Sequence, residues 1–155
     1  MHFMCGILLG LMHVSVLFSV RKRAPFSDGY CGWVSVTLSS IMNKDWSILN
    51  WNIRGLNDPK KWTAIRNKIE ESNCAILCIQ ETKRELIDSR FLKNFCPRRL
   101  NKFEYLPSVG AARGLLIVWN DQVFQGQLFH SNIYSISISF TSNHNGDNWI
   151  LTNVY

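Results

Sequence analysis

Two rhythms of apolar and polar residues run along this chain, and the change between them divides it. Two short, mainly apolar runs, Ile48 to Ile53 and Ala75 to Ile79, have the length of strands buried on both faces. Between them Trp62, Ile65 and Ile69 recur at helical spacing, with Asp58 placed to cap the helix, Pro59 suited to its first position and Asn73 at its end. Strand, helix, strand predicts two parallel strands in one sheet. Their C-terminal ends then share an edge, where the functional sites of such units sit, and Asn52 and Glu81 become neighbours. Glu85 to Asn94 carries Leu86, Phe91 and Leu92 at roughly helical spacing and predicts a short helix closed by Cys96-Pro97.

From Phe103 onward the period is two. Phe103 to Leu106, Leu115 to Trp119, Val123 to Phe129, Ile133 to Phe140 and Trp149 to Tyr155 read as strands separated by polar turns. Tyr134, Ile136, Ile138 and Phe140 alternate with Ser135, Ser137 and Ser139, the pattern of a half-buried antiparallel strand. Asn145-Gly146 supplies a hairpin turn that pairs this strand with the last one. The expected fold class is α/β, a mixed sheet with a parallel β-α-β start followed by antiparallel strands.

The first 46 residues have another character. Phe3 to Val20 is almost wholly apolar, broken by His13, Ser15 and Ser19, and Arg21-Lys22-Arg23 follows it. The basic cluster stands after the apolar core, opposite to a cleavable secretory signal. A membrane anchor, a core-facing segment and sequence upstream of the domain all remain open for it. Ala24 to Asp45 lacks a sustained period and reads as a linker. The division is therefore 1–46 as an N-terminal segment and 47–155 as the domain.

Composition changes the picture little. The 155 residues, 46% hydrophobic and 12% aromatic, suffice for one domain with a core and exclude wholesale disorder. The formal charge of +6 is compatible with a polyanionic partner. It is concentrated in Lys83, Arg84, Arg90, Lys93, Arg98, Arg99 and Lys102, set against Glu85 and Asp88. That run reads either as contact with a phosphate backbone or as a solvated helical face. Cys5, Cys31, Cys74, Cys78 and Cys96 form no zinc-binding pattern and read as reduced, mostly buried side chains. There is no Asn-x-Ser/Thr sequon, and His130 and His144 read as surface residues.

An amide and a carboxylate meeting at a strand edge suit a hard divalent cation that keeps waters for a phosphate substrate. At these residues a resemblance emerges. Trp51-Asn52-Ile53-Arg54-Gly55-Leu56-Asn57 and Gln80-Glu81-Thr82-Lys83 resemble the first two motifs of the endonuclease/exonuclease/phosphatase superfamily, the DNase I-like class. Val109 to Asn120 and Leu151 to Tyr155 resemble the next two segments in the endonuclease domain of plant LINE-type non-LTR retrotransposons, so the likeness runs colinearly from Trp46 to Tyr155.

The resemblance implies a four-layer α/β sandwich of which this chain carries about half. It implies that Glu81 binds Mg2+ or Mn2+ against the scissile phosphate, that Asn52 orients that carboxylate, and that Tyr155 reaches the phosphate. DNA would be the partner, met through its phosphate backbone, in the nucleus or cytoplasm, and the parent reaction would nick DNA to expose a 3′ hydroxyl for reverse transcription. Arg113 departs from the pattern, standing where a small residue is usual, and costs strain if its φ is positive. The family's Gly-Asp-x-Asn and Ser-Asp-His segments, which carry the general base, an asparagine and the catalytic histidine, have no counterpart in this sequence. The expectation is therefore an N-terminal part of an endonuclease with little activity alone. The alternatives are an abasic-site endonuclease or phosphoinositide phosphatase of the same superfamily, a non-catalytic nucleic-acid-binding remnant, and a small membrane-anchored protein using Phe3 to Val20.

Overall fold

Apolar runs become strands here wherever a neighbouring strand can take up their backbone hydrogen bonds. A computed structural model describes residues 3–9, 12–14, 17–18, 33–37, 46–110 and 113–155, the first four stretches by their backbone course. In chain order the elements are β1 (Phe3–Leu9), β2 (Met12–Val14), β3 (Leu17–Phe18), β4 (Trp33–Thr37), β5 (Ser47–Asn52), α1 (Lys60–Ser72) and β6 (Ile76–Gln80). There follow α2 (Ser89–Leu92), β7 (Lys102–Leu106), β8 (Leu115–Trp119), β9 (Phe124–Asn132), β10 (Ser135–Ser142) and β11 (Asn148–Val154).

These strands make two sheets. One has the order β4-β5-β6-β8-β7 and the other β2-β1-β11-β10-β9, with β3 also on β1. The pair β5 and β6 is parallel, in the register Ile48 opposite Ile76 and Asn52 opposite Gln80. The remaining described pairs are antiparallel. The mixed α/β class expected from the residue pattern is thus the one observed, with a second, antiparallel sheet packed on the first. Phe3–Leu9 lies along β11, Cys5 opposite Asn153 and Leu9 opposite Trp149. Among the described residues no helix is long and apolar enough to cross a membrane. Of the linker read at 24–45, Trp33–Thr37 pairs with β5 and the rest lies outside the described residues.

Because side chains alternate along a strand, the first sheet feeds two cores. Ile48, Cys78, Ile117 and Trp119 face the second sheet, where Ile136, Ile138, Phe140, Trp149 and Leu151 meet them. Leu49, Trp51, Leu77, Ile79, Leu116 and Val118 face the other way, onto Ile65 and Ile69 of α1 and Phe95 behind α2. Each fully buried aliphatic side chain contributes about 1.5–3 kcal/mol, so these faces outweigh local preferences in deciding the register.

Element ends differ from the sequence expectation by one to four residues, the largest shift being α2, which starts at Ser89 where Glu85 was expected. α1 begins at Lys60, one residue after the expected Pro59, and Asp58 accepts the Lys60 N–H at 3.0 Å. Asn73 ends it in the left-handed conformation, φ 45°. Asp88 caps α2 through the Phe91 N–H at 2.7 Å. β10 starts at Ser135, not Ile133, because Asn132 Oδ1 accepts the N–H groups of Tyr134 and Ser135 and makes these residues a turn. Gly126 lets β9 cross the core closely: a Cβ there would lie 2.7 Å from the Trp119 ring.

Candidate functional site

Three stretches leave one edge of the first sheet: 53–57 after β5, 81–84 after β6, and 107–110 with 113–114 ahead of β8. Backbone hydrogen bonds sew them together. Leu56 N–H donates to Thr82 O (2.9 Å), Thr82 N–H to Gly114 O (3.1 Å), Lys83 N–H to Arg113 O (3.0 Å) and Ser108 N–H to Arg84 O (2.9 Å). α1 adds three ties, from Lys61 Nζ to Ile53 O (3.2 Å) and Gly55 O (3.4 Å) and from Trp62 Nε1 to Leu56 O (2.9 Å). Gly114 is required by this closeness, since a Cβ on it would fall 2.1 Å from Thr82 Oγ1 at a φ of +91°.

The backbone at this edge is strained. Five described residues other than glycine have positive φ; Asn73 ends α1, and the other four are Arg54 (50°), Glu81 (55°), Lys83 (52°) and Arg113 (68°). A left-handed L-residue costs about 1–2 kcal/mol. Such conformations persist where the surroundings over-determine them, and they cluster at functional sites. The strain anticipated for Arg113 is present, and it extends to Glu81 itself.

Asn52 and Glu81 meet as the parallel strands require. Asn52 Nδ2 donates to Glu81 Oε1 at 2.8 Å, while Asn52 Oδ1 accepts the Arg54 N–H at 3.2 Å. The buried amide thus holds its own turn with one end and the carboxylate with the other. Glu81 is half-buried and is held through its Oε1. A carboxylate oxygen is the kind of hard donor that Mg2+ or Mn2+ takes together with water and phosphate oxygens. Among the described residues no group of three or more His, Cys, Asp or Glu gathers at one point.

The other predicted residues separate. Tyr155 is at this edge, its N–H bonded to Tyr134 O at 2.8 Å, and its ring lies 5.9 Å from the Arg113 guanidinium. Lys83 packs its chain over Gly55. Arg84 is engaged inside the molecule, 4.3 Å over the Phe91 ring and bonded to Asn57 Oδ1. Arg99 is held by Glu70 and by Ile69 O, near the far end of α1. Lys102 pairs with Trp119, at the opposite end of the sheet from Glu81, and exposed Arg98 adjoins Arg99. Arg90 and Lys93 are exposed on α2 and at its end. The basic run is therefore several separate features, with Arg84 and Arg99 acting as braces.

Beneath the site lies a buried group that periodicity did not single out. Gln80 Nε2 donates to Asn50 Oδ1 (2.5 Å) and Asn153 Oδ1 (2.7 Å), and Asn153 Nδ2 donates to Ile79 O (3.1 Å) and Leu116 O (3.3 Å). Buried amides must find partners, so this set locks the two sheets in one register. The signal was there to read: three amides at inward positions of otherwise apolar strands.

Cys74, Cys78 and Cys96 are buried thiols. Burial pushes the thiols of Cys74 and Cys96 above their ordinary value. His130 and His144 are exposed, as expected. A cleft of about 220 Å³ between Trp46, Phe124 and the 142–144 turn lies at the opposite end of the sheets from Glu81. It shares no residue with the strand-end site, which is an open edge.

Compared with protein-family models and with curated proteins, the chain matches none. The class that fold and site define is a mixed α/β chain of two packed sheets, with an amide–carboxylate pair at the C-terminal ends of its parallel strands.

Proposed function

We propose that this chain is part of a divalent-metal-dependent phosphodiesterase acting on DNA, an endonuclease of the retrotransposon type with a DNase I-like four-layer sandwich as its complete fold. The observation that carries the reading is the Asn52–Glu81 contact of 2.8 Å at an edge where four non-glycine residues are held left-handed. Glu81 would hold Mg2+ or Mn2+, which when bound offsets negative charge developing on an attacked phosphate. Asn52 fixes the carboxylate's direction. Arg54, Lys83 and Arg113 set positive charge around it, suited to a phosphate backbone. Weak or no nicking is expected of the chain alone, since its sequence has no counterpart of the family's base and histidine segments.

Mn2+ binding, followed by electron paramagnetic resonance, tests the site directly. The expected result is one bound ion whose affinity drops at least about ten-fold, roughly 1.4 kcal/mol, in Glu81→Gln. Equal binding by wild type and variant refutes the metal assignment. In a supercoiled-plasmid assay with Mg2+, any nicking above background should vanish in Glu81→Ala.

A further inference from the structure

We propose that Arg113, Tyr134 and Tyr155 form a stacking platform for an unpaired nucleobase of a DNA strand whose phosphate lies at the Glu81 edge. The inference rests on the phosphodiesterase reading for the position of that phosphate and goes beyond it in naming the conformation of DNA the chain takes.

The Arg113 guanidinium stands 4.9 Å from the Tyr134 ring and 5.9 Å from the Tyr155 ring, so a planar cation and two rings gather at one place. Each part is held by its backbone. Arg113 is fixed left-handed at φ 68° and its carbonyl accepts the Lys83 N–H, two residues from Glu81. Tyr134 is fixed from both sides, its N–H by Asn132 Oδ1 at 2.8 Å and its carbonyl by the Tyr155 N–H at 2.8 Å. Nevertheless the rings are left open: Tyr134 is 50% and Tyr155 43% exposed, and Phe129 and Ile133 on the same hairpin are 64% and 61% exposed.

Large apolar side chains gathered in the open on one hairpin mark a surface for a partner. The partner's chemistry follows from what surrounds them. Arg54, Lys83 and Arg113 make the edge cationic, and the whole chain carries +6, which favours a polyanion over an apolar peptide. A polyanion that also offers flat π-faces at regular intervals is a nucleic-acid strand with its bases unstacked. Single-strand binders combine the same two parts, a cationic track and aromatic faces. In a duplex the bases are stacked on one another and cannot reach the rings, so the platform selects unpaired or distorted DNA.

The test is fluorescence anisotropy of the full chain in EDTA with labelled oligothymidine and with an all-abasic strand of equal length, which keeps the phosphates and removes the bases. Wild type should bind the thymidine strand about ten-fold more tightly than the abasic one. Tyr134→Ala and Arg113→Gln should bring that ratio close to one, whereas Tyr134→Phe should retain it. Thermal unfolding of Tyr134→Ala verifies folding, since the ring is half exposed. Equal affinity of wild type for the two strands overturns the platform, as does an undiminished ratio in a folded Tyr134→Ala. Self-association that depends on Tyr134, without base preference, overturns it in favour of a second copy of the chain. Mn2+ binding by the same proteins in buffer free of EDTA separates the two readings. Base preference without a Glu81-dependent metal refutes the metal site alone, and metal binding without base preference refutes the platform alone.

Discussion

The two ends of the paired sheets are built on opposite terms. At one end Trp46 stacks on Trp149 with ring centroids 5.1 Å apart, Phe124 meets Trp46 edge-on at 4.8 Å, and Phe140 lies 4.9 Å from Trp149. Aromatic packing there takes precedence even over a hydrogen bond, since the buried Trp149 Nε1 finds no partner among the described residues. At the other end Arg54, Glu81, Lys83 and Arg113 sit in a strained backbone, and the buried hydroxyls of Thr82 and Ser108 beside them likewise find no partner among the described residues. The aromatic end gains free energy from burial and the strand-end edge stores some of it as strain. An edge that must present a carboxylate and cations at fixed angles cannot relax to the cheapest backbone, and the aromatic end supplies the margin that tolerates this.

The largest effect should come from breaking the aromatic end. Trp149→Ala removes a side chain 2% exposed and should cost about 3–5 kcal/mol, much of the 5–15 kcal/mol by which a domain of this kind is stable. Trp149→Phe should cost distinctly less, because it gives up the unpartnered donor along with part of the ring. Urea unfolding reads both, and a loss below about 1 kcal/mol for Trp149→Ala would show that this end does not anchor the fold.

The same contrast explains what could be foreseen from residues alone. Asn52 beside Glu81 followed from a parallel strand pair, because one register places both strand ends together. β8 was readable to the residue, since Leu115 to Trp119 is an unbroken apolar run between turns. The left-handed backbone of Glu81 and Lys83 was not readable, because it comes from hydrogen bonds to residues 113 and 114, some thirty positions away. The Asn50–Gln80–Asn153 lock needs both sheets in place before its members meet. The basic run misled for a similar reason: only the fold reveals that Arg84 lies on Phe91 and Arg99 on Glu70. The role of Phe3–Leu9 beside β11 likewise depends on a partner almost at the other end of the chain.

A smaller effect, of pH, belongs to the helix-side core. Burial raises the thiols of Cys74 and Cys96 above the ordinary 9.0. Below pH 9 the thiols are protonated in both folded and unfolded chains and add no pH dependence. Above it the unfolded chain loses protons that the folded chain keeps, so stability falls with rising pH, by up to about 1.4 kcal/mol per pH unit for each thiol. Urea midpoints should therefore decline between pH 9 and 10.5, and Cys96→Ala, though less stable throughout, should show a shallower decline. An unchanged slope in that variant would assign the alkaline loss to other groups.

The smallest effect sharpens the comparison most, because it predicts a change of sign. Lys83→Ala and Lys83→Gly both remove the cation, but only glycine relieves the left-handed backbone at φ 52°. Lys83→Gly should therefore be more stable than Lys83→Ala by about 0.5–1 kcal/mol, the cost of holding an L-residue there less the extra chain entropy of glycine. Both should weaken DNA binding alike and lower its salt dependence by about one ion. At exposed Gln125 in β9, which has an ordinary extended backbone, the order should reverse, with glycine less stable than alanine by about 0.5–1 kcal/mol. If alanine is the more stable substituent at both positions, Lys83 is not strained, and the left-handed backbone at this edge is no mark of function.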